Sequence, residues 1–115
     1  MERKLSSLLS LCTKAGMLTT GEETAERLLK NGKAQLIIVA ADAALNTQNK
    51  FTNKCFFYQK PVRVFGEKAV LNNCVGKRNR TVFIITDAGF ASRILTLIDM
   101  QIREVTECPK PVFMN

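Results

Sequence analysis

Residues 36–41 read Leu-Ile-Ile-Val-Ala-Ala, an unbroken apolar run between the polar Gln35 and Asp42. The run is too short for a typical buried helix. It lacks the polar alternation of a strand with one wet face, so it fits a strand covered by helices on both sides. That makes it the central strand of an α/β domain and requires helical segments before and after it. A second run of the same kind, Val82 to Ile85, lies near the other end of the chain.

The flanking segments supply the helices. Leu5, Leu8, Leu9 and Cys12 recur at helical spacing, with Lys4 and Lys14 off the stripe and Gly16 placed to end the segment, which predicts a helix over roughly 3–15. Met17-Leu18-Thr19 leaves room only for a brief strand, because Thr20-Gly21-Glu22-Glu23 carries a capping-box pattern opening a second helix that runs to about Asn31-Gly32. Residues 46–58 place Phe51, Cys55 and Tyr58 on one helical face, and Pro61 ends that segment. Val62, Val64 and Phe65 read as a third strand, and Glu67 to Val75 as a helix closed by Gly76. After the 82–85 strand, Thr86-Asp87 caps a last helix marked by Phe90, Ile94, Leu97 and Ile98. Helices and strands alternate throughout, which predicts a single α/β domain over 1–99. Residues 100–115 carry Pro109 and Pro111 and no sustained period, so an extended or partly disordered tail is expected there.

Charge and composition narrow the function. Seventeen Lys and Arg against ten Asp and Glu leave +7 on a chain of 115 residues, enough to attract polyanions. There is no histidine, and Cys12, Cys55, Cys74 and Cys108 form no C-x-x-C pair, so neither a metal nor another cofactor is expected. The cysteines read as reduced thiols that mostly fill core space. No apolar run approaches the roughly 18 residues of a membrane span and none forms a secretory signal, so a soluble cytoplasmic protein without membrane contact is expected.

Two segments carry the candidate binding chemistry. At the start of the second helix, Gly21 permits close backbone approach and free amide groups can meet an anion or a base edge. Arg27 lies four residues beyond Glu23, so the two share a helical face; the competing reading is a capping box with an exposed ion pair. The second segment is Lys77-Arg78-Asn79-Arg80, three cations in a loop with no neighbouring acid, which favours a polyanion. Asp42 and Asp87 follow apolar strands, where α/β enzymes often keep catalytic acids. Neither has a catalytic partner in sequence, and helix capping or loop hydrogen bonding is the simpler role. The chain is not expected to be an enzyme.

The order and spacing of four segments resemble the large-subunit ribosomal proteins of archaea and eukaryotes that bind kink-turn RNA, with their short bacterial relatives. The resemblance runs from about Leu5 to Asp99. Its carriers are TTGEETAERLLKNGKAQLIIVAADA (19–43), CFFYQKP (55–61), Leu71 to Gly76, and TVFIITDAGFA (81–91). It implies a three-layer αβα sandwich around a mixed four-stranded sheet. It also implies that Gly21, Glu22, Glu23, Thr24 and Arg27 meet sheared G·A pairs, that Asp42 lies in a segment holding an extruded nucleotide, and that Lys68 contacts a nucleotide. Gly21 and the cation at Arg27 keep the family pattern, whereas Glu23 stands for Asn and Thr24 for Glu. Position 44, often acidic in the family, is Ala44. The family's Leu-Gly-x-x-x-Gly appears as Leu71-Asn72-Asn73-Cys74-Val75-Gly76, and Arg78-Asn79-Arg80 stands where the family has Ser-Arg-Pro. The partner so implied is structured RNA, ribosomal RNA included. The alternative from another class is a basic module that docks an acidic protein.

Overall fold

The computed structural model describes residues 2–107. The elements run α1 (Arg3–Lys14), β1 (Leu18–Thr20), α2 (Glu22–Lys30), β2 (Leu36–Val39), α3 (Leu45–Tyr58), β3 (Val62–Val64), α4 (Lys68–Val75), β4 (Val82–Ile85) and α5 (Ala88–Glu107). The strands form one sheet in the order β1-β4-β2-β3. β4 is antiparallel to both its neighbours, and β2 is parallel to β3.

Both apolar runs occupy the two inner positions of the sheet, and every residue of β2 and β4 is buried. Helices α2 and α3 pack on each other and on the sheet as one layer, while α1, packed on α4 and α5, belongs to the other. The result is the expected three-layer αβα sandwich. Leu5, Leu9 and Cys12 of α1 and Ile94 and Ile98 of α5 meet the sheet residues in one core, to which α3 adds Phe51 and Cys55. The two short outer strands follow from the same logic: β1 is half-buried beyond its first residue, and β3 is the least covered of the four.

Two expectations fail. The second helix begins one residue later than a capping box on Thr20 requires. Thr20 is held in the ladder opposite Phe83, and the Gly21 N–H continues the pairing by donating to the Val82 carbonyl at 3.1 Å. The helix therefore takes Gly21 as its N-cap, with no side-chain cap at all. The second failure concerns the tail, because α5 does not stop at Asp99 but continues through Glu107. The prolines at 109 and 111 lie beyond this stretch, and residues 100–107 contain neither Gly nor Pro to break a helix already docked by Ile94 and Ile98. Residues 108–115, Cys108 among them, lie outside the described residues.

Candidate nucleic-acid interface

The strand directions bring distant segments to one end of the sheet. The C-terminal ends of β1, β2 and β3 and the N-terminal end of β4 all lie there. Consequently the start of α2, the 40–44 turn, the start of α4 and the loop 77–81 are neighbours. Backbone bonds tie them together: Gly21 N–H to Val82 O, Ala40 N–H to Thr81 O at 2.9 Å, and Ala41 N–H to Gly66 O at 2.7 Å.

At the start of α2, Gly21 has φ 114° and ψ 146°, a region open in practice only to glycine. The first helical bond is Ala25 N–H to Gly21 O, and among the described residues no group accepts from the N–H groups of Glu22, Glu23 and Thr24. Three outward N–H groups therefore stand free at the positive end of the helix dipole. Glu23 and Arg27 are both exposed and form no ion pair with each other or with any described residue. Neither part of the competing reading, capping box or i,i+4 pair, is present. Glu22 is differently placed: Lys50 of α3 lies 3.5 Å from it and 2.6 Å from Glu26, bridging the two helices. The hydrogen bond from Lys50 holds the Glu26 carboxyl below its usual range.

Asp42 and Lys68 meet, but through the backbone. The Lys68 N–H donates to Asp42 Oδ1 at 2.8 Å, so this carboxylate caps α4 across the turn. Asp87 accepts from the Phe90 N–H at 2.9 Å and caps α5, at the other end of β4. Two acids at opposite ends of the sheet, each committed to a helix start, do not make a paired acid–base site. Among the described residues no group of three or more His, Cys, Asp or Glu could hold a metal. Burial pushes the Cys12 and Cys55 thiols up to about 11, so both are protonated near neutral pH.

The basic loop is held by a residue that the sequence reading passed over. Asn72 of α4 is buried, and its Nδ2 donates to the carbonyls of Lys68 at 2.7 Å and Arg80 at 2.8 Å, while its Oδ1 accepts from the Arg80 N–H at 3.0 Å. The Lys77 N–H also donates to the Asn72 carbonyl at 3.0 Å. One residue thus ties both ends of the loop to the helix, the Arg80 end through its side-chain amide and the Lys77 end through its backbone carbonyl. Lys77, Arg78, Asn79 and Arg80 are exposed on top of this clamp, and none of the three cations pairs with an acid among the described residues. Asn79 adopts φ 58°, a left-handed conformation that asparagine tolerates. The signal for Asn72 was present as an amide between Leu71 and Val75 on an inward helical face, with its partners Lys68 and Arg80 four residues before it and eight after.

The sequence model of the ribosomal protein L7Ae/L30e/S12e/Gadd45 family matches residues 3–95. The chain belongs to that family. Within the L7Ae/L30e/S12e/Gadd45 group, the chain is 36% identical over 92 residues to the RNA-binding protein YlxQ of Bacillus subtilis (strain 168), covering 80% of this chain and 92% of the relative. It is 37% identical over 97 residues to the RNA-binding protein YlxQ of Enterococcus faecium, covering 84% and 93%. Among solved structures, a protein of unknown function from Bacillus halodurans superposes with a TM-score of 0.82 at 41% identity, covering 85% of this chain and 99% of that one. The Giardia lamblia 15.5kD RNA binding protein superposes with a TM-score of 0.69 at 20% identity, covering 87% and 92%, a likeness of fold. The L7Ae-type sandwich is thus shared with proteins from distant sources.

Proposed function

We propose that this chain binds structured, bent RNA of the kink-turn kind, ribosomal RNA included, through the end of the sheet where α2 begins. The observation that carries the reading is one juxtaposition. A helix start with three unused N–H groups lies beside a clamped loop of three unpaired cations. Phosphate contacts from Lys77, Arg78, Arg80 and Lys68 supply affinity, while Gly21, Glu23, Thr24 and Arg27 face base edges and set selectivity. Glu23 accepts from base amino groups where an asparagine would also donate. Glu22 and Asp42, tied to Lys50 and to the start of α4, shape the surface from its edges. The names of the YlxQ relatives support an RNA partner. The protein would act in the cytoplasm by binding alone, without cofactor or chemistry.

The test is a titration of a bent RNA with tandem G·A pairs and a straight duplex of equal length, across a salt series. Arg78→Ala with Arg80→Ala should weaken both complexes and lower the log–log salt slope by roughly 0.9 for each lost phosphate contact on a duplex. Arg27→Ala or Glu23→Ala should instead change the preference between the two RNAs. Unchanged affinity and slope in the double arginine variant would remove this reading.

One feature favours a protein partner as the second reading. A groove of about 620 Å³ between α1 and α5 is lined by Leu8, Leu11 and Leu97 together with Arg3, Lys4 and Arg93, with no acid lining it. Its chemistry suits an acidic amphipathic helix. Under that reading Leu11→Glu abolishes binding of such a peptide, and the arginine variants of the loop are silent.

A further inference from the structure

Helix α3 carries no carboxylate in its 14 residues, LNTQNKFTNKCFFY. Its buried side is Phe51 and Cys55; its exposed side runs through Asn46, Asn49, Asn53, Phe56 and Phe57. Phe56 is 85% exposed and Phe57 76%, more than any other large apolar side chain among the described residues. An apolar ring left this open, where the other aromatics among the described residues are at least partly buried, calls for an occupant. The Phe57 ring meets Tyr58 edge-to-face at 4.9 Å, while Phe56 has no ring partner among the described residues.

The rings border a cleft of about 660 Å³ that Asn53, Gln59 and Lys60 also line. Gln59 ends α3 in the left-handed conformation at φ 58°, and the Lys60 N–H returns to the Cys55 carbonyl at 2.9 Å. That turn holds the lysine's backbone against the same helix end as the rings. Lys54 precedes them by less than one turn, and no acid lines the cleft. Aromatic faces, amide donors and acceptors, and cations are the three kinds of group that hold unpaired bases and their phosphates. A protein hot spot would more often surround its aromatic anchors with further apolar contacts, and here the neighbours are amides and lysines.

Position adds the second part. α3 starts just after the 40–44 turn, at the sheet end that holds the proposed RNA site, and runs about 21 Å to the opposite end. We infer that the outer face of α3 is a track for single-stranded RNA, leading from the α2 site to a stacking platform formed by Phe56 and Phe57. This rests on the RNA-binding reading above and names the part of the RNA that the α2 site leaves outside: a single strand extending from the bent element, held by stacking and therefore with little sequence preference.

The experiment compares the bent RNA with blunt ends against the same RNA carrying an oligouridine arm at its 5′ or 3′ end, and oligouridine alone. An arm at one of the two ends should raise affinity about thirtyfold, the lower range of stacking on two aromatic rings. Phe56→Ala and Phe57→Ala should each remove most of that gain, leave blunt-RNA affinity unchanged and leave the salt slope as it was. Lys60→Gln should lower the slope on the armed RNA by roughly 0.7. Both rings are exposed, so the alanine variants should melt with the wild type. The track is refuted if neither arm adds affinity while the blunt RNA binds well, or if the alanine variants keep the gain. It is equally refuted if they alter only self-association, which would assign the rings to a protein interface. If the blunt RNA itself fails to bind, the α2 site falls, and oligouridine alone still decides the platform: loss of its binding in both alanine variants sustains it, and wild-type failure to bind ends it.

Discussion

Replacing Asn72 by alanine should cost stability and RNA affinity together, in a ratio that the structure sets. The amide makes three hydrogen bonds, two of them to the backbone of Arg80. Each such bond contributes about 1 kcal/mol net, so their loss amounts to about 3 kcal/mol. Two effects reduce this. Alanine is the better helix former by about 0.5 kcal/mol. The freed Arg80 groups sit on an exposed residue, where water replaces part of what is lost. The expected loss is about 2 kcal/mol, read from urea unfolding, or about 8 °C in Tm for a domain of this size. Asn72→Asp should be at least as harmful, since a carboxylate would then face the carbonyls of Lys68 and Arg80. On RNA, Asn72→Ala leaves every cation in place, so the log–log salt slope should stay near the wild-type value while affinity falls by the cost of re-ordering the loop. Arg78→Ala with Arg80→Ala should do the reverse and lower the slope. An Asn72→Ala protein with wild-type Tm and wild-type affinity would show that the clamp does not order the loop.

Gly21→Ala should destabilise the fold by about 1–3 kcal/mol in the same assay, because φ 114° is strained for any residue with a Cβ. The added methyl would meet Thr24 Oγ1 at an ordinary 3.6 Å, so the cost is conformational, and a wild-type unfolding midpoint would refute it. The Arg63–Asp99 pair, with Nε to Oδ1 at 2.7 Å and Nη2 to Oδ2 at 3.0 Å, joins β3 to α5. Its hydrogen bonds from Arg63 hold the Asp99 carboxyl below the usual range. A depressed carboxyl contributes stability that is complete above its unfolded value near 3.9 and is lost as pH falls through the lower folded value. Both side chains are about a third exposed, so the contribution is less than about 1 kcal/mol. Asp99→Asn should flatten the stability curve below about pH 4 and nowhere else; an unchanged acid limb would show that the pair is not formed in solution.

Most of the elements were legible because they depend on neighbours within a few residues, although the start of α2 and the end of α5 were not. The stripe Leu5, Leu9 and Cys12, the runs at 36–39 and 82–85, and the left-handed stop at Gly76 all sit where the pattern puts them. The chemistry of the candidate site was legible in part, since a basic loop without acids and a glycine before a helix are local facts. The capping box was misread for a reason of the opposite kind. Thr20-x-x-Glu23 satisfies the local pattern, but the β4 ladder claims Thr20 and the Gly21 N–H first.

By itself, then, the sequence determined the alternation of helices and strands, the two covered strands, and the excess of cations on a short chain, because periodicity and composition are set residue by residue. Tertiary structure alone decided the strand order, with β4 between β1 and β2, and hence that residues near 21, 42, 68 and 80 share one end of the sheet. Each of these rests on a hydrogen bond or a packed face between segments far apart in the chain. Such contacts form only when the whole sheet closes, and no local window of sequence contains both partners.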